Sequence, residues 1–531
     1  MAIITKLNVV ANTDQDTVAP SVEELERRVR GVFEALLQHV KQRATEPGLT
    51  SFMLIEKQLW EQVMALGRAV IVLFLGIREQ QVAARGPIRA WERSFRPAPK
   101  QARNLTTLFG TVRYFRQYMR EVSAEAGRRG FYPLERALGL MADRVSLNVL
   151  SAAVRLATKL SYAQARTTLE MFMPNAPSTE VIEQAVLGFA SHSERWFEQA
   201  PSPCRDGADG EVLVIGIDGK GAPTATESEL RRRRGKRRKP LCTGSKRHRG
   251  RARRGRWPKR PRRCKGDKSK NARMATLVLM YTLKREGDLL LGPRNSWVYA
   301  SFGPKRHAFA IARREAIKRG FGPDSGKLVQ FVSDGDNDLE RYRAEYLPHA
   351  QPTLDVIHVV EKLWTAGECF YAEGSAELNA WVHGHKKRLY SGKVRSVVQD
   401  LKDRLERIPK TGPGNKGKRD RLEEIIGYLY KRIEQMNYHE LLAQDLEICS
   451  GPTEGAVKNV IGKRCDHGGM RWIRERAEAV LQLRCIEING DWERFAEFTH
   501  NQLWAQSLVE YQRFRLQTST ASDLPNLAEA A

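Results

Sequence analysis

Acidic residues are scarce in this 531-residue chain, with 62 Asp and Glu against 89 Lys and Arg and a formal net charge of +27. That shortfall points to a polyanionic partner. Cysteines are few: Cys204, Cys242, Cys264, Cys369, Cys449, Cys465 and Cys485 are odd in number and show no C-x-x-C spacing. A disulfide framework is thereby excluded as the basis of the fold, and a reducing cytoplasm is the expected compartment. Long apolar runs are missing too. The most apolar stretch, Val63 to Leu75, is broken by Arg68 and reads as a core helix too short to span a bilayer. The N-terminus, MAIITKLNVVANTDQD, lacks a basic leader followed by an apolar core, so no signal peptide is expected. With 41% hydrophobic residues the chain is not disordered throughout.

What is present centres on residues 327–364. Leu328-Val329-Gln330-Phe331-Val332 reads as a buried strand that stops at Ser333-Asp334-Gly335. An Asp at the carboxyl end of a buried strand is where open α/β sheets place their chemistry. Farther on, Thr353-Leu354-Asp355 ends a second short approach and Val356-Ile357-His358 opens a helix, which sets Asp355 and His358 on one helical face. Upstream, the apolar run from Glu211 to Ile217 ends in Asp218-Gly219. Neighbouring strands would bring Asp218 and Asp334 to one sheet edge. Downstream, Ser450-Gly451-Pro452 marks a helix start with Glu454 in its first turn. Singly, each acid has a plain reading as a turn starter or helix cap.

Together, two strand-end aspartates and a helix-borne glutamate form the constellation that an RNase H-like core needs. Hard oxygen ligands suit Mg²⁺ (or Mn²⁺), and two such ions activate an attacking oxygen and stabilise the leaving one. Two carboxylates about 4 Å apart repel by about 4 kcal/mol at an effective dielectric near 20, so a site built this way expects a cation.

The segments I-D-G-K-G at 217–221, V-S-D-G at 332–335, D-V-I-H at 355–358, S-G-P-T-E-G-A-V-K at 450–458 and G-M-R-W at 469–472 carry a resemblance. From about residue 103 to about 495 the chain resembles the Mutator-like DDE transposases of bacterial insertion sequences, most of all the Kra-type group. The resemblance implies that Asp218, Asp334 and Glu454 bind the catalytic metals, that His358 with Asp355 supports the site, and that a helical insertion precedes the glutamate.

The expected architecture is α/β: an RNase H-like core with a mixed sheet and a helical insertion, preceded by a mainly helical N-terminal region. Residues 1–100 form that helical region, opened by the capping box Ser21-Val22-Glu23-Glu24. Residues 101–205 hold a hairpin around Gly110, a helical stretch from Pro133 to about Thr158, and two short helices separated by the turn 173–177, in helix-turn-helix spacing. The core occupies 206–355 and 449–515, the insertion 356–448, and a flexible tail 516–531.

DNA is the expected partner. The hairpin offers Arg113 and Arg116 beside Tyr114 and Tyr118, although a solvated hairpin face has the same pattern. Between Arg231 and Arg273 stand 23 Lys or Arg against Asp267 alone, a net +22 that includes Arg231, Arg232, Arg233, Arg234, Lys236, Arg237, Arg238 and Lys239. Such a run buries too little apolar surface to fold alone and is expected to be disordered without nucleic acid. Lys458, Arg464 and Arg471 are further candidates near Glu454. The expected activity is Mg²⁺-dependent cleavage of element ends and strand transfer, by a homodimer or higher oligomer associated with the bacterial nucleoid. The alternatives are a non-catalytic DNA-binding or domesticated protein, and a junction or repair nuclease of the same fold.

Overall fold

Ser21 opens the first helix with a reciprocal cap: its hydroxyl accepts from the Glu24 amide, while the Glu24 carboxylate accepts from the Ser21 amide. The computed structural model describes residues 18–48, 51–90, 93–122, 130–140, 144–226, 272–467 and 470–518, without the side chains of 89–90, 272 and 506–518. The chain divides into two compact units, one formed by residues 1–189 with 493–531 and the other by residues 190–492. Both boundaries differ from those read in the sequence, and the last helix joins the first unit.

In the first unit, helices α1 (Val22–Thr45) and α2 (Phe52–Val82) are followed by strands β1 (Ile88–Ala90), β2 (Arg93–Pro97), β3 (Gln101–Thr107), β4 (Gly110–Arg116), β5 (Met119–Glu121) and β6 (Gly130–Phe131). The expected hairpin is present as β3–β4, paired from Gln101↔Arg116 to Thr107↔Gly110, and Gly110 has φ +106° at its turn. Leu75 of α2 packs with Leu105, Val112, Tyr114 and Leu134 to form a core. The expectation for Val63 to Leu75 needs correction. It lies in a 31-residue helix that is long and apolar enough to cross a membrane by length and composition, and Trp60, Val63, Val70 and Phe74 are exposed. Nor is Pro133 to Thr158 one helix. It splits into α3 (Pro133–Leu138) and α4 (Leu147–Ala157), because Gly139 takes the left-handed conformation at φ +60° and ends α3. The two helices around Asn175 are α5 (Tyr162–Glu170) and α6 (Thr179–Ala190), with Ile182, Ala185 and Val186 buried.

The second unit begins with α7 (Ser193–Gln199) and the strands β7 (Val212–Pro223), β8 (Ala272–Glu286) and β9 (Leu289–Ser301). Then come α8 (Lys305–Lys318), β10 (Leu328–Ser333), α9 (Asn337–Tyr346) and β11 (Gln351–Leu354). The sheet order is β11-β10-β7-β8-β9. β8 runs antiparallel to both of its neighbours, β7 and β9, whereas β10 runs parallel to β7 and β11 parallel to β10. This mixed sheet agrees with the α/β expectation. The parallel pairs follow from α8 and α9, since parallel strands need a crossover connection. Phe309 of α8 meets Phe331 of β10 on one sheet face. The outer edge of β9 is closed by Asn489, whose amide accepts from the Val298 N–H at 2.8 Å and donates to its carbonyl at 3.0 Å.

After β11 the chain is helical: α10 (Val356–Gly367), α11 (Ala376–Tyr390), α12 (Val394–Glu406), α13 (Asn415–Tyr430) and α14 (Tyr438–Ala443). The expected linker 409–418 is shorter in the structure, because α13 already starts at Asn415. Helix α15 (Gly451–Val457), a π-helical turn (Lys458–Gly462), α16 (Lys463–Cys465) and α17 (Arg474–Ile488) follow, and α18 (Trp492–Thr518) returns to the first unit.

Candidate functional site

The strand registers decide which acids meet. β10 lies beside β7 with Gly216 opposite Val332, and beside β11 with Ser333 opposite Leu354. Continued past the last pairs, the same registers set Asp218, Asp334 and Asp355 in one row across three adjacent strands. One part of the sequence reading needs correction here. Asp218 is not at a strand end, because β7 runs on to Pro223, held by its antiparallel partner β8. It stands where β7 outruns β10, so the row still falls at the carboxyl edge of the parallel part of the sheet.

Glycine brings the glutamate to this row. A Cβ at Gly216 would overlap Thr453 Oγ1, so α15 rests directly on β7 only because position 216 has no side chain. Gly216 and Asp218 share a sheet face by the period of two, which puts the Glu454 helix on the aspartate side. Gly216→Ala is expected to cost about 1–3 kcal/mol by overpacking. Most of that loss should return with Thr453→Ala, since the nearest remaining atom to the new methyl would be the residue 453 Cβ at 3.1 Å. Thermal melts of the two single variants and the double variant test this, and additive losses would show that the contact does not place the helix.

The hydrogen bonds around the row are specific. Asp218 Oδ1 accepts from the Gly219 N–H at 2.6 Å, and Asp334 Oδ1 from the Asp336 N–H at 2.9 Å. Asp355 is fully buried and caps α10 through the Ile357 N–H at 2.8 Å, while its other oxygen accepts from the Ser450 hydroxyl. Ser450 also reaches Glu454 Oε1 at 3.4 Å. His358 Nε2 stands 3.8 Å from both Asp355 Oδ2 and Glu454 Oε1, and its Nδ1 is 3.1 Å from Glu361. Ligand atoms of Asp355, His358 and Glu454 thus lie within 4.8 Å of one another.

Electrostatics brings in the other two acids. Burial raises the pKa of Asp218; the Gly219 N–H opposes this, and the charges of Asp334 and Glu454 raise it further. Burial disfavours a charged His358, yet its bond to Glu361 and the charges of Asp355, Glu361 and Asp334 prevail and raise its pKa. All five residues singled out in the sequence, Asp218, Asp334, Asp355, His358 and Glu454, therefore belong to one electrostatic cluster. The donor set fits a hard divalent cation: Asp218, Asp334 and half-exposed Glu454 offer carboxylate oxygens, and the charges of Asp334 and Glu454 bear on Asp218. Asp355 has both oxygens engaged, which suits it to orient rather than to ligate.

Residues that the motifs did not reveal hold the site. Tyr428 Oη donates to the Asp334 carbonyl at 2.6 Å, and Arg432 Nη2 donates to the Gly335 carbonyl at 2.5 Å and to Asn337 Oδ1 at 2.7 Å. Tyr438 Oη donates to the Leu354 carbonyl at 2.9 Å. The helical insertion thus grips the ends of β10 and β11. Behind Glu454, the buried Arg484 donates to the Val460 and Asn459 carbonyls at 3.0 and 2.8 Å, which satisfies the π-helical turn.

The basic candidates separate. Residues 231–239 lie outside the described residues, as does the expected disordered insert apart from its end at Ala272 and Arg273, which begin β8. The described flanks show where its charge attaches: β7 and β8 last pair at Pro223↔Ala272, five residues and roughly 17 Å along the strand from Asp218. Lys458 and Arg471 are exposed. Arg464 is buried and stacks 4.6 Å over Trp472, so in this fold it is a packing residue and is not presented to a polyanion. Arg116 is paired with Glu135 and stacks over Tyr132 at 3.4 Å.

A profile of an uncharacterised protein family (UPF0236) matches residues 45–231, a stretch that holds β7 and Asp218 and stops short of Asp334 and Glu454. No curated protein matches the chain.

Proposed function

We propose that this protein is a DNA transposase of a bacterial insertion sequence, of the Mutator-like DDE kind, and that its second unit is an RNase H-like core. The observation that carries the proposal is the in-register row of Asp218, Asp334 and Asp355, with Glu454 brought over it by the Gly216 contact. The sheet order, three antiparallel strands followed by two parallel ones, is in keeping with such a core.

On this reading Asp218, Asp334 and Glu454 hold two Mg²⁺ or Mn²⁺ ions, which when bound polarise the attacking and leaving oxygens of a phosphodiester. Asp355 fixes Ser450 and His358. A protonated His358 donates toward Glu454 or a phosphate oxygen, a hydrogen bond strengthened by its charge. The protein acts on chromosomal DNA in the bacterial cytoplasm, and synapsis of two element ends calls for at least a dimer.

The test is incubation of the purified protein with duplexes carrying element ends or random sequence, with Mg²⁺ or Mn²⁺. Nicks that expose a 3′ hydroxyl, followed by joined products, are expected with end-bearing duplexes. Cleavage without joining would instead identify a nuclease. Binding without cleavage under either metal would leave a non-catalytic DNA-binding protein.

A further inference from the structure

In the first unit, the β3–β4 hairpin and its neighbours line a cleft of about 480 Å³ that includes Arg103, Arg113, Arg116, Arg144, Tyr132 and Glu135. Four guanidinium groups face one carboxylate, an excess of three positive charges among the lining side chains. Glu135 is shared between Arg103 and Arg116. Arg116 lies over the Tyr132 ring, and among the described residues its buried Nε–H has no acceptor. Burial lowers the pKa of Arg116, and the charges of Arg103 and Arg144 push the same way. Four guanidinium groups gathered around one carboxylate favour an anion, and the planar fork of Arg matches phosphate oxygens best.

We infer that this cleft is a phosphate-binding site for the nucleic-acid backbone, in which Arg113 and Arg144 hold the phosphate while Arg103 and Arg116 add their charge to the lining. The inference rests on the reading of the protein as one that acts on DNA, whose backbone supplies the phosphate that the cleft's excess positive charge takes. The site is expected to fix backbone position rather than to read bases, because phosphate contacts carry no sequence information. Its residues are distinct in sequence from the basic run at 231–273, so substitutions in the two can be compared.

Anisotropy of labelled random and end-bearing duplexes at several salt concentrations tests the site in the full-length protein. Arg113→Gln and Arg144→Gln should each reduce the salt slope of log K by about 1 and weaken both duplexes alike. Arg30→Gln, on exposed α1, should leave the slope unchanged. A wild-type slope in both cleft variants would overturn the cleft while leaving the DNA reading intact. Wild-type protein that binds no duplex would overturn both. Protection of the two variants by inorganic phosphate in a thermal melt equal to that of the wild type would also overturn the cleft.

Discussion

Asp218→Asn, Asp334→Asn and Glu454→Gln are each expected to abolish divalent-cation-dependent cleavage and to raise, rather than lower, the melting temperature of the metal-free protein. The reason is that the fold pushes like charges together. Burial, with Asp334 and Glu454 nearby, raises the pKa of Asp218 above its ordinary value of 3.8. An acid whose pKa is higher in the folded state than in the unfolded chain loses its contribution to stability as pH rises from the unfolded value through the folded one. Near neutrality the ionised Asp218 therefore opposes folding. An amide removes the charge, keeps the shape, and still accepts the Gly219 N–H. Each kcal/mol of relieved repulsion is worth about 2–4 °C in a unit of this size, and solvent screening keeps the relief small. Mg²⁺ should stabilise the wild type and lose that effect in the variants. A variant that cleaves at the wild-type rate, or that retains the full Mg²⁺ shift, would take its residue out of the metal site.

Gly335→Ala is expected to lower cleavage at saturating DNA by about 10²-fold while leaving the unit folded, because it displaces Asp334 without touching its carboxylate. Gly335 sits at φ +78°, where an L side chain costs roughly 1–2 kcal/mol. Its Cβ would also meet Arg432 Nε at 2.7 Å, Leu354 Cδ1 at 2.7 Å and Tyr428 Oη at 2.9 Å. These side chains grip the loop, so relief of the overlap breaks the bonds that Tyr428 and Arg432 make to the Asp334 and Gly335 carbonyls. Arg432→Met provides the second test. It retains the stem and removes the donors, and it should lower turnover with little change in the affinity for DNA. Normal turnover in both variants would show that the helical insertion packs against the site without positioning it.

Much of this site was legible in the sequence because its parts are local. Asp334 follows a run of buried residues that can only be a strand, Glu454 follows Ser-Gly-Pro, and Asp355 with His358 announces itself by helical spacing. The hairpin turn at Gly110 and the two helices around Asn175 were legible for the same reason. Failures arose where a distant partner decided the outcome. Asp218-Gly219 looks like a strand end, yet β8 carries the strand five residues farther. Arg464 reads as a free cation until Trp472 lies under it. Gly216 carried a weak signal, a glycine inside an apolar strand, without saying what approaches it. Tyr428 and Arg432 carried none, since a tyrosine on an insertion helix and an arginine just past its end look the same whether they face water or a carbonyl 94 to 97 residues away. The sequence by itself determined which acids are available and the local element that holds each. Strand register and helix docking decided that they stand in one row, because those depend on pairings and close contacts between segments far apart in the chain.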